Sequence, residues 1–320
     1  MSIRKITILL LDIIFIPFTL LSAILLKSIR IFNITPWRTH SQISKYILEM
    51  VGIFPITNHY YEPAFKYNKN DVLKERILPG INFNIANQLI FLNNFTYNSE
   101  LINISKLPLS QYNYSYINSP FKAGDSCILY NMVRFTKPKN IIEIGCGSST
   151  LMIQHAIKDN IINDSNYNCN HYCIEPYENK WLENLNLNVI RQKVETLDIS
   201  FFKNLDENDI LFIDSSHIIR PGGDVLFEFL EILPILNKNV YIHIHDIFTP
   251  NNYLHEWLID GVNFWNEQYL LEAFLSCNEK FEIVLSLNFL KNNYFDILKE
   301  KSPLLNKEHE PGSIWLKKIV

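Results

Sequence analysis

The sequence predicts an α/β protein: a doubly wound, Rossmann-like sheet of seven strands with helices on both faces, preceded by an apolar N-terminal helix and a small, mostly helical region. Three observations predict it. From Pro138 onward, short β-branched runs alternate with amphipathic stretches. Glycines and acids stand immediately after the first two runs, where open sheets of this kind bind ligands. The last two runs have no periodic helix of equal quality between them, as in an antiparallel pair closing one edge of a sheet.

Composition sets the outer bounds. A chain of 320 residues, 48% hydrophobic and 19% charged, is neither disordered nor fibrous and has ample length for a core. Its formal net charge of −4 lacks the basic footprint of a general nucleic-acid binder. Of the five cysteines (Cys127, Cys146, Cys169, Cys173 and Cys277), only Cys169 and Cys173 are close, and no second pair stands at zinc-ligand spacing. They read as reduced, mostly buried thiols of a cytosolic domain rather than as a disulfide scaffold.

The first element is Ile6 to Leu26, apolar except for Asp12 and small hydroxyls, with Arg4 and Lys5 before it and Lys27 and Arg30 after. As a helix it would reach roughly 30 Å, the thickness of a bilayer's hydrocarbon. Pro17 should kink it or break it into two arms. A cleaved signal peptide fits poorly, since the run is long and no small-x-small site follows. A soluble helix would show a polar face and this one does not, so residues 1–32 are expected to associate with a membrane, whether spanning it or dipping into one leaflet. The cationic residues continue through Arg38 and Lys45, which favours a membrane-associated protein with its remaining chain on the cytoplasmic side. Residues 33–119 read as a helical connector or lid. Within them HYYEPAF, with Tyr60, Tyr61 and Glu62, has groups that can line a pocket mouth, although surface loop is the commoner origin of such a stretch.

Residues 120–320 form the expected main domain. Its strand candidates are Asn140–Ile144, Tyr172–Ile174, Asn188–Arg191, Ile210–Ile213, Val240–Ile244, Phe281–Leu287 and Ser313–Lys318. Helices are expected at Thr150–Lys158, Tyr177–Leu185, Asp224–Leu233 and Asn266–Cys277, and the polar stretch Lys291–Lys307 is expected to be irregular.

The first strand runs into Glu143-Ile-Gly145-Cys-Gly147-Ser148-Ser149-Thr150. The glycines permit a tight turn and close approach of a ligand to backbone N–H groups. A dinucleotide turn would want a third glycine where Thr150 stands, and a phosphate loop would want Gly-Lys-Ser/Thr. The acid ahead of the glycines suits a ligand with a cationic amino-acid part. The second strand ends in Glu175, which can accept from both hydroxyls of a ribose. With these elements in order, the stretch from roughly Phe121 to Val320 resembles the class I S-adenosylmethionine-dependent methyltransferases. The resemblance implies a seven-stranded sheet with its last strand antiparallel, S-adenosyl-L-methionine as cofactor, and Glu143, Gly145, Gly147, Ser148, Glu175 and Asp214 around it.

The fourth strand ends in Asp214-Ser-Ser-His217 and the fifth in His243-Ile-His245-Asp246, so Asp214, His217, His245 and Asp246 should converge on one cleft. Such a set can bind a divalent cation or move a proton without one. A neutral His217 is the side chain best suited to take a hydroxyl proton near neutral pH, while His243, deeper in the strand, reads as structural. The Asp-x-x-His element resembles that of metal-dependent sugar O-methyltransferases acting on macrolide sugars. The resemblance implies Asp214 as a magnesium ligand and His217 as base, with Asp246 carried over. It leaves His245 where that group has a glutamate, so a metal set of Asp214, His245 and Asp246, holding Mg or Mn, stands beside a metal-free alternative. Arg220 can contact an acidic substrate, and Tyr253, Trp257 and Trp265 can stack on a sugar ring, though packing aromatics are commoner.

The expected activity is therefore S-adenosylmethionine-dependent methylation, on a hydroxyl of a small-molecule, sugar or glycan-linked acceptor, by a catalytic set of His217, Asp214 and Asp246. The alternatives are an NAD(P)-type oxidoreductase on a similar sheet and a non-catalytic membrane-bound scaffold that keeps the fold.

Overall fold

The computed structural model describes residues 3–34, 42–53, 55–56, 74–260 and 263–320. The chain divides into two compact units, Met1–Asp71 and Val72–Val320. The first holds two described helices, Ile3–Ile34 and Gln42–Val51. Of the kink or break expected at Pro17, the break does not occur: the long helix runs through it. A single proline removes one backbone hydrogen bond, and the rest of a long apolar helix can carry it across. The HYYEPAF stretch lies outside the described residues.

The second unit is built on seven strands: β1 (Asn140–Ile144), β2 (Asn170–Ile174), β3 (Asn188–Ile190), β4 (Ile210–Ile213), β5 (Tyr241–Ile244), β6 (Phe281–Ser286) and β7 (Ile314–Lys318). Their order is β3-β2-β1-β4-β5-β7-β6. The first five pair in parallel, and β7 lies antiparallel between β5 and β6. Strand order reverses between β1 and β4, which is where a ligand crevice opens in such sheets.

The two-residue period of the strands sorts their side chains into two cores. Ile141, Ile210, Phe212 and Trp315 pack against the helices Ala123–Thr136 and Ser148–Asn163. Ile142, Ile144, Leu211, Ile213 and Ile242 pack on the other face with Val225, Phe229 and Leu271. These last come from the irregular helix Asp224–Ile235, widened to a π turn over Glu228–Ile232, and from the helix Glu267–Leu275. The expected helix over Tyr177–Leu185 is only a short 3₁₀ segment, Lys180–Asn184.

Two regions differ from the sequence reading. The expected connector 33–119 straddles the division between units. Its later helices, Ile85–Leu92 and Asn98–Ile104, bury Leu92, Leu101 and Ile104 in the same core as Ile141. The stretch expected to be irregular contains the helices Leu287–Asn293 and Phe295–Lys301. Leu290, Leu298 and Leu305 anchor it in the core, too few apolar residues at helical spacing to announce it.

Candidate active site

The turn after β1 is clamped from both sides. Gly145 N–H donates to Ile174 O at 3.0 Å, and Asp214 N–H donates to Ile144 O at 2.9 Å. Gly145 has φ +78°, and a Cβ there would stand 1.8 Å from the Asp214 carbonyl oxygen, so no other residue fits. Gly147 is different: its backbone is extended, and a Cβ would meet only Asn179 Nδ2 at 3.7 Å. Its N–H donates to Thr150 Oγ1 at 3.0 Å, which secures the start of the following helix.

Glu143, expected to hold a cofactor, has its carboxylate engaged by side chains of the fold itself. Glu143 is fully buried, and the pleat of β1 turns it toward the helix Ser148–Asn163 instead of the crevice. Ser149 Oγ donates to its Oε1 at 2.6 Å, Thr150 Oγ1 donates to its Oε2 at 2.8 Å, and His171 Nε2 lies 2.9 Å from Oε2. Thr150, standing where dinucleotide binders have a third glycine, is thus part of the lock on this turn. Ser148 lines a separate groove with Gly147, Leu151 and Trp181.

Beside the turn, at the β1/β4 reversal, is a cavity of about 270 Å³ lined by Gly145, Glu175, Tyr177, Val194, Asp214 and Arg220 among others. This is near the lower end of the volumes that hold small ligands. Glu175 Oε1 accepts the Tyr177 and Glu178 N–H groups, each at 2.9 Å, so the carboxylate also shapes its own loop. Arg220 is half exposed, its Nη2 3.5 Å from Asp224 Oδ1.

On the other side of Asp214 sits His217. Its φ of +60° is uncommon for a residue with a Cβ, and its carbonyl accepts the N–H groups of Asn266 at 2.9 Å and Glu267 at 3.2 Å. The loop after β4 is thereby pinned to the first turn of the helix Glu267–Leu275. His217 Nδ1 lies 2.8 Å from the wholly buried Glu267 Oε2. Its Nε2 faces Asp214 Oδ1 and Asp246 Oδ2, each at 3.4 Å, and Trp265 covers the ring at 4.6 Å between centroids. Burial works against charge on this imidazole, but its bonds to Asp214 and Glu267 outweigh it and raise the pKa well above the ordinary value. For Asp214 burial again opposes ionisation, and His245 and His217 together outweigh it, so the carboxyl is held well below its usual range.

The four residues expected in one cleft do gather, with a different division of labour. The ligand atoms of Asp214, His217 and Asp246 come within 4.8 Å of one another. His245, the expected nitrogen donor of the metal set, faces the same two carboxylates from the other side. Its Nδ1 is 3.2 Å from Asp246 Oδ1 and 3.6 Å from Asp214 Oδ1. The strand pleat carries its ring toward Phe121 and Asp125, 5.1 Å from the phenyl centroid and 3.9 Å from Asp125 Oδ2. His243 is core, stacked at 4.0 Å on Phe212 with Nε2 2.8 Å from Ser313 Oγ. Trp257 packs edge-on against Trp265 at 4.9 Å, Tyr253 is buried, and Trp265 and Trp257 keep partial exposure beside His217.

Sequence reasoning missed Glu267 and Asp125. The signal for both was an acid on an apolar stripe: Glu267 shares a helix face with Leu271 and Leu275, and Asp125 with Ile128, Leu129 and Met132.

Residues 142–247 match the family model described as a methyltransferase domain. A search of curated proteins finds no match. Among solved structures, the chain is similar to an O-methyltransferase from Bacillus cereus in complex with SAH, at 14% identity over 71% of this chain and 99% of that one, with a TM-score of 0.38. It is also similar to a putative protein-L-isoaspartate O-methyltransferase from Plasmodium falciparum, at 18% identity over 49% of this chain and 83% of that one, with a TM-score of 0.29. A third is the MycE methyltransferase of the mycinamycin biosynthetic pathway in complex with Mg and SAH, at 15% identity over 69% and 55%, with a TM-score of 0.35. The matched segment, from within β1 to just beyond β5, is the one that supplies the glycine turn, Glu175, Asp214, His217 and Asp246, so the part of the chain similar to a methyltransferase domain is the part that builds the crevice.

Proposed function

We propose that the protein is an S-adenosylmethionine-dependent O-methyltransferase that acts on a sugar or glycan-linked hydroxyl. One observation carries the reading: Asp214 lines the cavity at the strand reversal and also stands 3.4 Å from His217, so one residue joins a nucleoside-sized cavity to a proton-handling cluster. The Gly145 turn, Glu175 and Asp214 would hold S-adenosylmethionine, which supplies the methyl group. His217, fixed through Nδ1 by Glu267, presents Nε2 toward Asp214 and Asp246 and is the group to receive the acceptor's proton. Trp265 and Trp257, half-buried beside it, suit the apolar face of a sugar ring.

Two carboxylates and one imidazole nitrogen within 4.8 Å also fit a divalent cation, with the nitrogen donor favouring Mn over Mg. When bound there, such a cation would lower the pKa of an acceptor hydroxyl. Asp214, Asp246 and His217 would be its holders, with Glu267 fixing the imidazole by the hydrogen bond its other nitrogen makes; Nε2 would then be a ligand in place of a proton acceptor.

The N-terminal helix supports attachment to a membrane, with the main domain on the cytoplasmic side. Leu11–Arg30 is long and apolar enough to cross a bilayer and none of it is buried, unlike the core helix of a soluble protein. Residues 1–32 would be the anchor, 33–119 the connector with its later helices, and 120–320 the catalytic domain.

The test is calorimetric titration of the full chain with S-adenosylhomocysteine. Binding in the micromolar range is expected, and its absence would remove the cofactor. The acceptor class is tested by mass spectrometry of cell-envelope glycans with and without the protein, where a shift of one methyl group is the expected difference.

A further inference from the structure

Beneath the glycine turn, on the opposite face of β1 from the crevice, a second cluster of ligating side chains is buried. Cys146, between the two turn glycines, Cys173 on β2, and Glu143 on β1 bring their ligand atoms within 4.8 Å of one another, all buried. A fourth donor adjoins two of them, outside that group: His171 Nε2 lies 2.9 Å from Glu143 Oε2 and 3.5 Å from Cys173 Sγ. Cys173 Sγ is itself 3.5 Å from Glu143 Oε2. All five cysteines are free thiols, and Cys169, the near neighbour of Cys173 in sequence, takes no part, its Sγ meeting the Asn170 carbonyl.

We propose that Cys146, Cys173, His171 and Glu143 form a structural zinc site that ties the cofactor turn to β2. Two sulfurs, an imidazole and a carboxylate are the donor types zinc prefers, in the number that closes its shell. A tetrahedral zinc with bonds of about 2.0–2.3 Å has donor-to-donor edges of about 3.3–3.8 Å. The two 3.5 Å separations already have that length, the His171–Glu143 edge needs to open only slightly, and Cys146, grouped with Glu143 and Cys173 but not with His171, would close onto the ion. Support behind the donors is in place. Ser149 and Thr150 hydroxyls hold the Glu143 carboxylate, and the Gln154 side-chain amide holds His171 Nδ1 at 2.9 Å and can accept its proton by turning over. On binding, the two sulfurs enter as thiolates and their protons leave to solvent. The site would be independent of the Asp214–His217–Asp246 cluster, which contains no sulfur.

That difference makes the test decisive. The full chain, stripped with a chelator under reducing conditions, is titrated with Co²⁺ and followed by absorption. One equivalent should produce an intense thiolate-to-cobalt charge-transfer band with the strong visible bands of tetrahedral cobalt, and Zn²⁺ should abolish them. Cys146→Ser and Cys173→Ser should each lose most of the charge-transfer intensity, while Asp246→Asn keeps it. Circular dichroism verifies that each variant is folded, and for any variant that is not, metal analysis of the wild-type chain as purified takes its place, with one zinc per chain expected. No charge-transfer band in the wild type, or a band that survives in both serine variants, overturns the proposal.

Discussion

Glu267 Oε2 stands 2.8 Å from His217 Nδ1 across 50 residues of sequence, and the same two residues are joined again by the Glu267 N–H on the His217 carbonyl. The carboxylate is wholly buried, so it fixes both the tautomer and the direction of the imidazole and leaves Nε2 as the atom facing Asp214 and Asp246.

Glu267→Gln keeps the shape and replaces the carboxylate facing Nδ1 by a neutral amide. Methyl transfer should fall about 10–100-fold, while affinity for S-adenosylhomocysteine stays within a few-fold of wild type. Single-turnover kinetics beside calorimetry separates the two, and equal losses in both would mean Glu267 merely holds the fold.

His217→Ala should reduce turnover by about 10²–10⁴-fold with the cofactor still bound. An unchanged rate in a methyl-release assay would exclude His217 as the proton acceptor.

The two turn glycines should behave differently. Gly145→Ala drives a methyl into the Asp214 carbonyl at positive φ and should cost about 2–4 kcal/mol along with cofactor binding. Gly147→Ala, in extended backbone with open space, should stay within about 1 kcal/mol. Urea denaturation measures both.

Acid should loosen the helix Asn98–Ile104. Burial raises the Glu100 pKa, but its bonds to Arg134 and Tyr130 outweigh that and hold it below its ordinary 4.5. A carboxyl with a depressed folded pKa contributes stability above its unfolded value, and that contribution disappears as pH falls through the folded one. Urea midpoints should therefore decline below about pH 4.5 in the wild type. Glu100→Gln should start lower at neutral pH and show a shallower acid decline; parallel curves would exclude this pair.

Deleting residues 1–32 should move the protein from the membrane pellet to the supernatant with cofactor affinity retained. Pelleting that persists in the truncated chain would exclude the N-terminal helix as the anchor.

Strand positions were legible in the sequence because each strand is a short apolar run bounded by turn residues. β1 and β4 fall where the alternation puts them, and the antiparallel β6/β7 pair follows from the missing helix between them. The crevice was legible for the same reason, since Gly145, Glu175, Asp214 and Asp246 follow directly after strands. Side-chain direction was harder to read. Glu143 reads as a cofactor acid, and the pleat turns it toward Ser149 and Thr150; His245 reads as a neighbour of Asp214 and Asp246, and its other ring nitrogen, facing Asp125, was not read.

The sequence by itself determined the order of elements, the place of the crevice and the residue types available at its rim, because these depend on local periodicity and on which residues end each strand. Only the tertiary structure decided the partners: Glu267 for His217, both His217 and His245 beside the two aspartates, and Cys146 beside Cys173 under the turn. Those pairings join atoms from separate strands and helices, and only packing of the sheet against its helix layers brings them together.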